Sequence, residues 1–190
     1  KDKVSMSNLC QEITLPTTPI KGIDDPDGEI ALCILSAINV GAIGNLNELE
    51  TLCDLSVRAL DEIIELQDYP VKAAEVSTKS RRSLGIGYIG LAHYLAKNGV
   101  KYSDPKAWEL VDRLSEAFQY YLLRASCDIA EEKGKCEGFE RTKYADGLLP
   151  IDHYKKDVDK IVPHKQRMAW ESLRKDIAKY GLRHSTLSAQ

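Results

Sequence analysis

A short segment near the start of the chain places three chemically capable side chains at alternate positions. Asn8 supplies an amide, Cys10 a thiol and Glu12 a carboxylate. Residues two apart in an extended segment lie on the same face, so this spacing predicts that the three groups converge. An amide, a sulfur and a proton acceptor together suit radical or nucleophilic chemistry on a polyhydroxylated substrate. The alternative is a strand end with a buried cysteine, because free cysteine is often a small core residue.

The elements predicted around this segment are a few strands and several helices. We expect extended chain over residues 4–15 and a strand buried on both faces over 29–40, although a buried helix would give a similar apolar run. Asn45, with Glu48 three residues later, is a candidate helix start. Helical spacing and stop signals predict helices over about 45–67, 87–97, 105–133 and 165–180, a shorter helix over 152–157, and extended chain over 182–189.

Several strings of the sequence resemble one family, in the same order. The string SNLCQEI at 7–13, followed by TLPT, resembles the active-site segment of the large (alpha) subunit of class I ribonucleotide reductases. The resemblance runs from about Ser7 to Ala189. The other matching strings lie at 29–33 with 35–37, 67–70, 81–87, 94–97, 102–104, 119–123, 149–152, 181–183 and 185–189.

The resemblance implies an α/β fold. The chain would form part of the family's ten-stranded α/β barrel, mostly helical with a few buried strands. We therefore expect residues 1–190 to be one partial catalytic barrel domain of a larger or split subunit, without an internal boundary. In the family, several hundred residues precede this segment and more follow it, so we expect the chain alone to bind nucleotide weakly and not to turn over.

The resemblance also implies roles for particular residues. Cys10 matches the thiol that becomes a thiyl radical and abstracts the 3′ hydrogen of a ribonucleoside diphosphate. Glu12 matches the base that accepts the 3′ hydroxyl proton, and Asn8 the amide that binds and orients the ribose hydroxyls. Cys33 matches one of two cysteines that supply reducing electrons and close into a disulfide, and the partner of Cys33 lies upstream of this segment in the family.

By the same resemblance, the segment binds no cofactor itself. A metal-containing small subunit would supply the radical, thioredoxin or glutaredoxin the electrons, and ATP and deoxynucleotide effectors would bind elsewhere in the full subunit. The remaining segments of the large subunit would be the other partners. Two alternatives stay open: a non-catalytic structural or assembly fragment that retains the motif, and a glycyl- or cobalamin-dependent reductase with a related barrel.

Composition narrows the class of protein. A chain of 190 residues with 43% hydrophobic and 29% charged residues is typical of one globular domain. A net charge of -3 gives no electrostatic case for nucleic acid or an anionic membrane, and no apolar run approaches the roughly 20 residues of a membrane span. The five cysteines lack metal-ligand spacing, which predicts no metal site and a reducing, cytoplasmic location.

Two motifs suggest other chemistry. Residues 85–90 spell G-x-G-x-x-G, but residues 80–83 are not the hydrophobic strand that a dinucleotide fingerprint requires, so we interpret the glycines as sites of close helix packing. Arg81 and Arg82 could bind phosphate. The preferred interpretation is that they lie on a solvated edge of the protein or form ion pairs.

The remaining reactive side chains are interpreted structurally. We expect Cys53 and Cys127 to be structural thiols and Cys136 to be exposed. Tyr120 and Tyr121 have helical spacing that predicts core or interface positions rather than radical transfer. The histidines have no partners in sequence and are interpreted as surface or packing residues.

Overall fold

Helices make up most of the chain, and two short pairs of strands accompany them. The computed structural model describes residues 2–8, 11–161 and 165–188. The strands are β1 (Met6–Ser7), β2 (Thr14–Leu15), β3 (Ile34–Asn39) and β4 (Leu84–Ile89). The helices are α1 (Glu48–Leu66), α2 (Lys72–Arg81), α3 (Leu91–Lys97), α4 (Pro105–Lys133) and α5 (Trp170–Tyr180), with short 3-10 turns at Glu137–Arg141, Tyr144–Asp146, Pro150–Asp152 and Lys156–Lys160.

A small parallel sheet forms the centre of the fold. β3 and β4 pair in parallel from Ile34 with Leu84 to Asn39 with Ile89, and α1 and α2 provide the crossover between them. The chain end runs along the other edge of β4, where the backbone N–H groups of Leu84 and Ile86 donate to Thr186 and Leu187 at 2.9 and 2.8 Å. The extended chain predicted near 182–189 is thus confirmed at 186–188, and the described residues do not close a barrel.

The helices cover one face of this sheet. Side chains on β3 alternate in burial: Ile38 is 7% exposed, whereas Leu35 is 56% exposed. The predicted strand is therefore present, but the prediction that it is buried on both faces is wrong for the described chain. A run of apolar residues indicates that burial is possible, whereas the number of layers that cover a strand depends on which elements pack there.

Helix α1 packs along α4, and the contact between them forms the main core. The buried side of α1 includes Leu49, Val57 and Ile64, and that of α4 includes Leu114 and Phe118. These residues recur at helical spacing, which is why both helices were predictable from the sequence. None of the described helices is both long and apolar enough to cross a membrane.

The helix ends follow local signals where these are strong. Glu48 accepts hydrogen bonds from the backbone N–H groups of Asn45 and Gly44 at 3.1 and 3.0 Å. The prediction that Asn45 caps this helix is wrong, because α1 begins at Glu48 after the N-cap Asn47, and the Asn45 side chain instead accepts a hydrogen bond from the Asn47 N–H at 2.9 Å. Pro105 opens α4 and Gly134 follows its last residue, as predicted.

Three predicted helices differ from the structure. Residues 87–89, predicted as the start of a helix, belong instead to β4, because residues 84–89 pair with β3 along their whole length, and α3 begins only at Leu91. The last helix begins at Trp170 rather than near 165. The short helix predicted over 152–157 is wrong, since 3-10 turns occupy Pro150–Asp152 and Lys156–Lys160.

Candidate active site

Asn8 and Glu12 lie between the two strands of a hairpin, not on one extended strand. β1 and β2 pair antiparallel, Met6 with Leu15 and Ser7 with Thr14, so the chain reverses direction between them. Gln11 has a φ of 63°, and its N–H donates to the carbonyl of Asn8 at 3.1 Å. The prediction of continuous extended chain over residues 4–15 is therefore wrong, because a reversal ends the alternation of side chains between two faces.

The side chain of Asn8 stabilises this hairpin end. Its Oδ1 atom accepts a hydrogen bond from the backbone N–H of Ile13 at 3.1 Å, and the Asn8 N–H donates to the Ile13 carbonyl at 3.3 Å. Cys10 lies outside the described residues. The predicted convergence of Asn8, Cys10 and Glu12 therefore stays a prediction.

The charge of Glu12, at the end of the hairpin, acts on the thiol of Cys33. Burial is the main reason that the pKa of the Cys33 thiol rises to about 12, and the negative charge of Glu12 raises it further. The Oε2 atom of Glu12 is buried and has no hydrogen-bond partner among the described residues. A buried carboxylate oxygen without a partner is costly in a folded protein, so this oxygen is a candidate acceptor for a hydrogen bond from a ligand. The assignment of Asn8, Cys10, Glu12 and Cys33 to one site stays a prediction, and the effect of the Glu12 charge on Cys33 is consistent with it.

Cys33 differs from the other described cysteines in its exposure. It immediately precedes β3 and is partly exposed, whereas Cys53, Cys127 and Cys136 are 0, 0 and 3% exposed. The core positions of Cys53 and Cys127 agree with structural thiols. The prediction that Cys136 is exposed is wrong, because Cys136 packs in the main core and its N–H donates to the Leu182 carbonyl at 3.0 Å. All four thiols are free.

The face of the β3–β4 sheet opposite α1 begins immediately after Cys33 along the chain. By strand alternation, Leu35 and Ala37 point away from α1, because Ser36 lies on the α1 side and accepts a 3.1 Å hydrogen bond from Ser56. Their partners in register on β4 are Gly85 and Gly87. Gly85 is buried and Gly87 is partly exposed, so the accessible backbone on this face lies at Gly87, beside Ala37. A small ligand could approach the sheet closely there.

The G-x-G-x-x-G string lies mostly within a strand. Gly85 and Gly87 belong to β4, and only Gly90, with a φ of 80°, occupies the turn before α3. Our interpretation of these glycines as helix-packing sites is therefore wrong. The structure gives a reason to reject a dinucleotide site. That fingerprint places its glycines in the turn after the strand, whereas Gly85 and Gly87 lie within β4.

Arg81 and Arg82 are buried, not solvated, and both form ion pairs. Arg81 is 5% exposed and contacts Asp2 and Glu29. Arg82 is 3% exposed and lies 2.5 Å from Asp61. The preferred interpretation was right about ion pairing and wrong about solvation.

Asp61 is the centre of a buried polar cluster that the sequence analysis missed. It is 1% exposed, and its Oδ1 atom lies 3.1 Å from Nε2 of His184, which is 0% exposed and also contacts Ser126. Burial opposes ionisation of Asp61, yet the hydrogen bond with His184 and the charge of Arg82 hold the Asp61 pKa below its usual range. A signal existed: Asp61 lies next to Leu60 on the apolar side of α1, where an unpaired carboxylate would be costly.

The remaining predicted features have structural explanations. Tyr120 and Tyr121 pack against the main core and against each other, with ring centroids 5.6 Å apart, as predicted for core or interface residues. Within 2–8, 11–161 and 165–188, no group of three or more His, Cys, Asp or Glu side chains could hold a metal ion.

Comparison with known proteins gives consistent matches. The family model described as "Ribonucleotide reductase, barrel domain" matches residues 1–190. The chain is 59% identical over 186 residues to a protein of Buchnera aphidicola subsp. Schizaphis graminum and 59% identical over 186 residues to one of Haemophilus influenzae, each named ribonucleoside-diphosphate reductase subunit alpha. It is 55% identical to the Escherichia coli ribonucleoside-diphosphate reductase 1 subunit alpha. These matches cover 98% of this chain but only 24, 25 and 24% of the relatives, so the chain spans about a quarter of their length.

Proposed function

The chain belongs to the ribonucleotide reductase barrel-domain family, and we propose that it forms the catalytic core of a ribonucleoside-diphosphate reductase alpha subunit. The reaction would convert ribonucleoside diphosphates to 2′-deoxyribonucleoside diphosphates. The observation that carries this proposal is the buried Oε2 atom of Glu12, which has no hydrogen-bond partner among the described residues, together with the effect of the Glu12 charge on the partly exposed thiol of Cys33. In this proposal β3, β4 and residues 186–188 are neighbouring strands of the family's ten-stranded α/β barrel, and residues 1–190 are one part of that domain.

The first step assigns Cys10 and Glu12. A thiyl radical on Cys10 would abstract the 3′ hydrogen of the ribose, which forms the S–H bond and leaves a carbon radical at C3′. Glu12 would accept the 3′ hydroxyl proton, which eases loss of the 2′ hydroxyl as water. The buried Oε2 of Glu12 supports this role, because a sugar hydroxyl would supply the hydrogen bond that the described residues do not.

Asn8 and Cys33 would complete the site. The side-chain oxygen Oδ1 of Asn8 accepts a hydrogen bond from the Ile13 N–H. The side-chain NH2 group of Asn8 is therefore the group that would donate to the ribose hydroxyls. The raised pKa of Cys33 keeps its thiol protonated near neutral pH, and a protonated thiol can supply the proton with which the 2′ hydroxyl leaves as water. Cys33 and a second cysteine outside this chain would then give up two electrons and form a disulfide.

The partners follow from this chemistry. A radical must reach Cys10 from outside the chain, for which we propose a metal-containing small subunit. A disulfide at Cys33 must be reduced before the next turnover, for which we propose thioredoxin or glutaredoxin in the cytoplasm. The remaining segments of the large subunit would complete the barrel and bind ATP and deoxynucleotide effectors.

A chimeric subunit tests the proposal. This chain replaces the matching segment of the Haemophilus influenzae relative, to which it is 59% identical, and reduction of cytidine diphosphate is measured with the small subunit and thioredoxin. We expect Cys10→Ser to abolish turnover and Glu12→Gln to lower kcat by about 10²–10⁴-fold, the usual contribution of a general base. Cys136→Ala and Glu137→Gln are matched controls and should stay active.

The outcomes separate the alternatives. Full activity of the Cys10→Ser chimera would contradict the catalytic assignment. An unmodified chimera that folds but does not reduce cytidine diphosphate would favour the structural or assembly fragment. Dependence of turnover on added cobalamin would indicate the third alternative.

A further inference from the structure

Arg81 is a buried cation that forms ion pairs with the two segments that lead to the candidate site residues. We propose that Arg81 is a positioning residue, which holds the β1–β2 hairpin against the segment that leads to Cys33. The functional importance of this inference rests on the proposed function, whereas the contacts from which it is argued are independent of that function. It concerns a residue that touches neither Cys33 nor Glu12 and acts through the backbone segments that carry them.

The first contact joins Arg81 to the chain before the hairpin. Its Nη1 atom donates to the Oδ2 atom of Asp2, four residues before β1 begins at Met6. The Asp2 N–H also donates to the Arg141 carbonyl at 3.3 Å, which ties the same segment to the 3-10 turn beside α2. The entry to the hairpin is therefore anchored at Arg81.

The second contact joins Arg81 to the chain before Cys33. Its Nη2 atom lies 2.6 Å from the Oε2 atom of Glu29, and the two side chains are 7 and 11% exposed. Burial opposes ionisation of Glu29, yet the hydrogen bond and charge of Arg81 hold the Glu29 pKa below its usual range. Glu29 is therefore a charged and largely buried anchor four residues before Cys33.

Glu29 also holds the chain that leaves the hairpin. Its N–H donates to the carbonyl of Thr18 at 3.0 Å, and the Thr18 N–H donates back to the Glu29 carbonyl at 3.1 Å. The hydroxyl of Thr18 donates to the Glu29 carboxylate at 3.2 Å. Both ends of the hairpin thus meet at one guanidinium, directly through Asp2 and indirectly through Glu29.

Arginine suits this position better than lysine would. The planar guanidinium directs two separate N–H groups to two carboxylates, whereas an ammonium is a point charge that favours one of them. Arg141 also approaches both carboxylates, but at 3.4 and 3.6 Å and with 42% of its side chain exposed. Arg81 is therefore the group that fixes the spacing between the two segments.

The test measures whether Glu12 still acts on Cys33. In the full, reduced chain, the rate of Cys33 alkylation by iodoacetamide is followed at mildly alkaline pH by mass spectrometry of the Cys33 peptide. Glu12→Gln removes a negative charge near the thiol, so the Cys33 thiolate becomes more populated. We expect the rate to rise about threefold, the order expected for loss of one partly screened charge.

The same Glu12→Gln change is then made in Arg81→Lys and in Asp2→Asn backgrounds. We expect the increase to fall to less than about 1.3-fold in both, since the hairpin end is no longer held near Cys33 and the interaction weakens with distance. Asp2→Asn is the second variant because Asp2 is partly exposed, and its loss leaves the Arg81–Glu29 pair in place. Arg124→Lys is the matched control, because Arg124 also bridges two carboxylates, Asp128 and Asp176, but on α4 and α5.

The control background should keep the full threefold increase. A threefold increase that persists in both Arg81→Lys and Asp2→Asn would overturn the inference, and so would the absence of any increase in the parent chain. Alkylation does not require turnover. Failure of the positioning inference can therefore be distinguished from failure of the proposed function, which is tested by Cys10→Ser in the chimera.

Discussion

Replacement of Asp61 by Asn should destabilise the chain more than any other single carboxylate change on α1. Asp61 is 1% exposed and faces Arg82, which is 3% exposed. Asn at this position would leave the buried Arg82 charge with Glu65, whose side chain is 48% exposed, as its remaining carboxylate partner in the described chain. Removal of one partner from a buried pair costs about 3–5 kcal/mol, and the residual Glu65 contact argues for a loss of about 3 kcal/mol.

The assay is urea unfolding of the chain near neutral pH, followed by far-ultraviolet circular dichroism. Asp54→Asn is the matched control, because Asp54 lies on the same helix and pairs with Arg58 at 2.9 Å, with both side chains more than a third exposed. Exposed pairs of this kind contribute about 0–1 kcal/mol. If Asp61→Asn costs no more free energy of unfolding than Asp54→Asn, the reasoning from burial is refuted.

Three further predictions concern the same fold. Burial lowers the pKa of His184, although Asp61 opposes this. The stability contributed by the neutral imidazole is therefore complete above the unfolded pKa of about 6.5 and declines as the pH falls below that value. The urea midpoint should decrease as the pH is lowered from neutral to mildly acidic, and it should decrease less for His184→Asn. Phe118→Ala should cost about 3–5 kcal/mol in urea unfolding, since Phe118 is 0% exposed in the main core, and a loss under about 1 kcal/mol would contradict that packing. Gly181→Ala should lower the melting temperature more than Gly99→Ala, because both have positive φ but only at Gly181 would a Cβ meet Lys135 at 2.7 Å; equal shifts would disprove the steric argument.

The helices show how far local pattern leads. The apolar stripe of α1, and Pro105 and Gly134 at the two ends of α4, are features of residues close in sequence, and they predicted both long helices. Residues 84–89 show the limit. Glycine-rich and apolar, they carry no decisive local signal and became β4 because β3 lies beside them.

The candidate site shows the same division. The residue types and their family resemblance identified Asn8, Cys10, Glu12 and Cys33 from the sequence, and the geometry assumed for the first three was an extended strand. The structure instead has a hairpin, and the charge of Glu12 at its end acts on the Cys33 thiol. A two-residue spacing places side chains on one face only while the chain stays extended, so the premise of one extended strand is wrong, whereas the convergence of Asn8, Cys10 and Glu12 stays a prediction.

The buried charges depended most on tertiary structure. In sequence, Arg81 and Arg82 are an adjacent basic pair and Asp61 is one acid on an amphipathic helix, and nothing local indicates that they are partners. Their ion pairs join residues far apart along the chain, where each charge is acceptable in the interior only because the other is present. The sequence by itself determined the family, the long helices and the chemical groups of the site, because these depend on residue type and short-range spacing. The tertiary structure decided which groups meet, because pairing between distant segments arises only when the chain has packed.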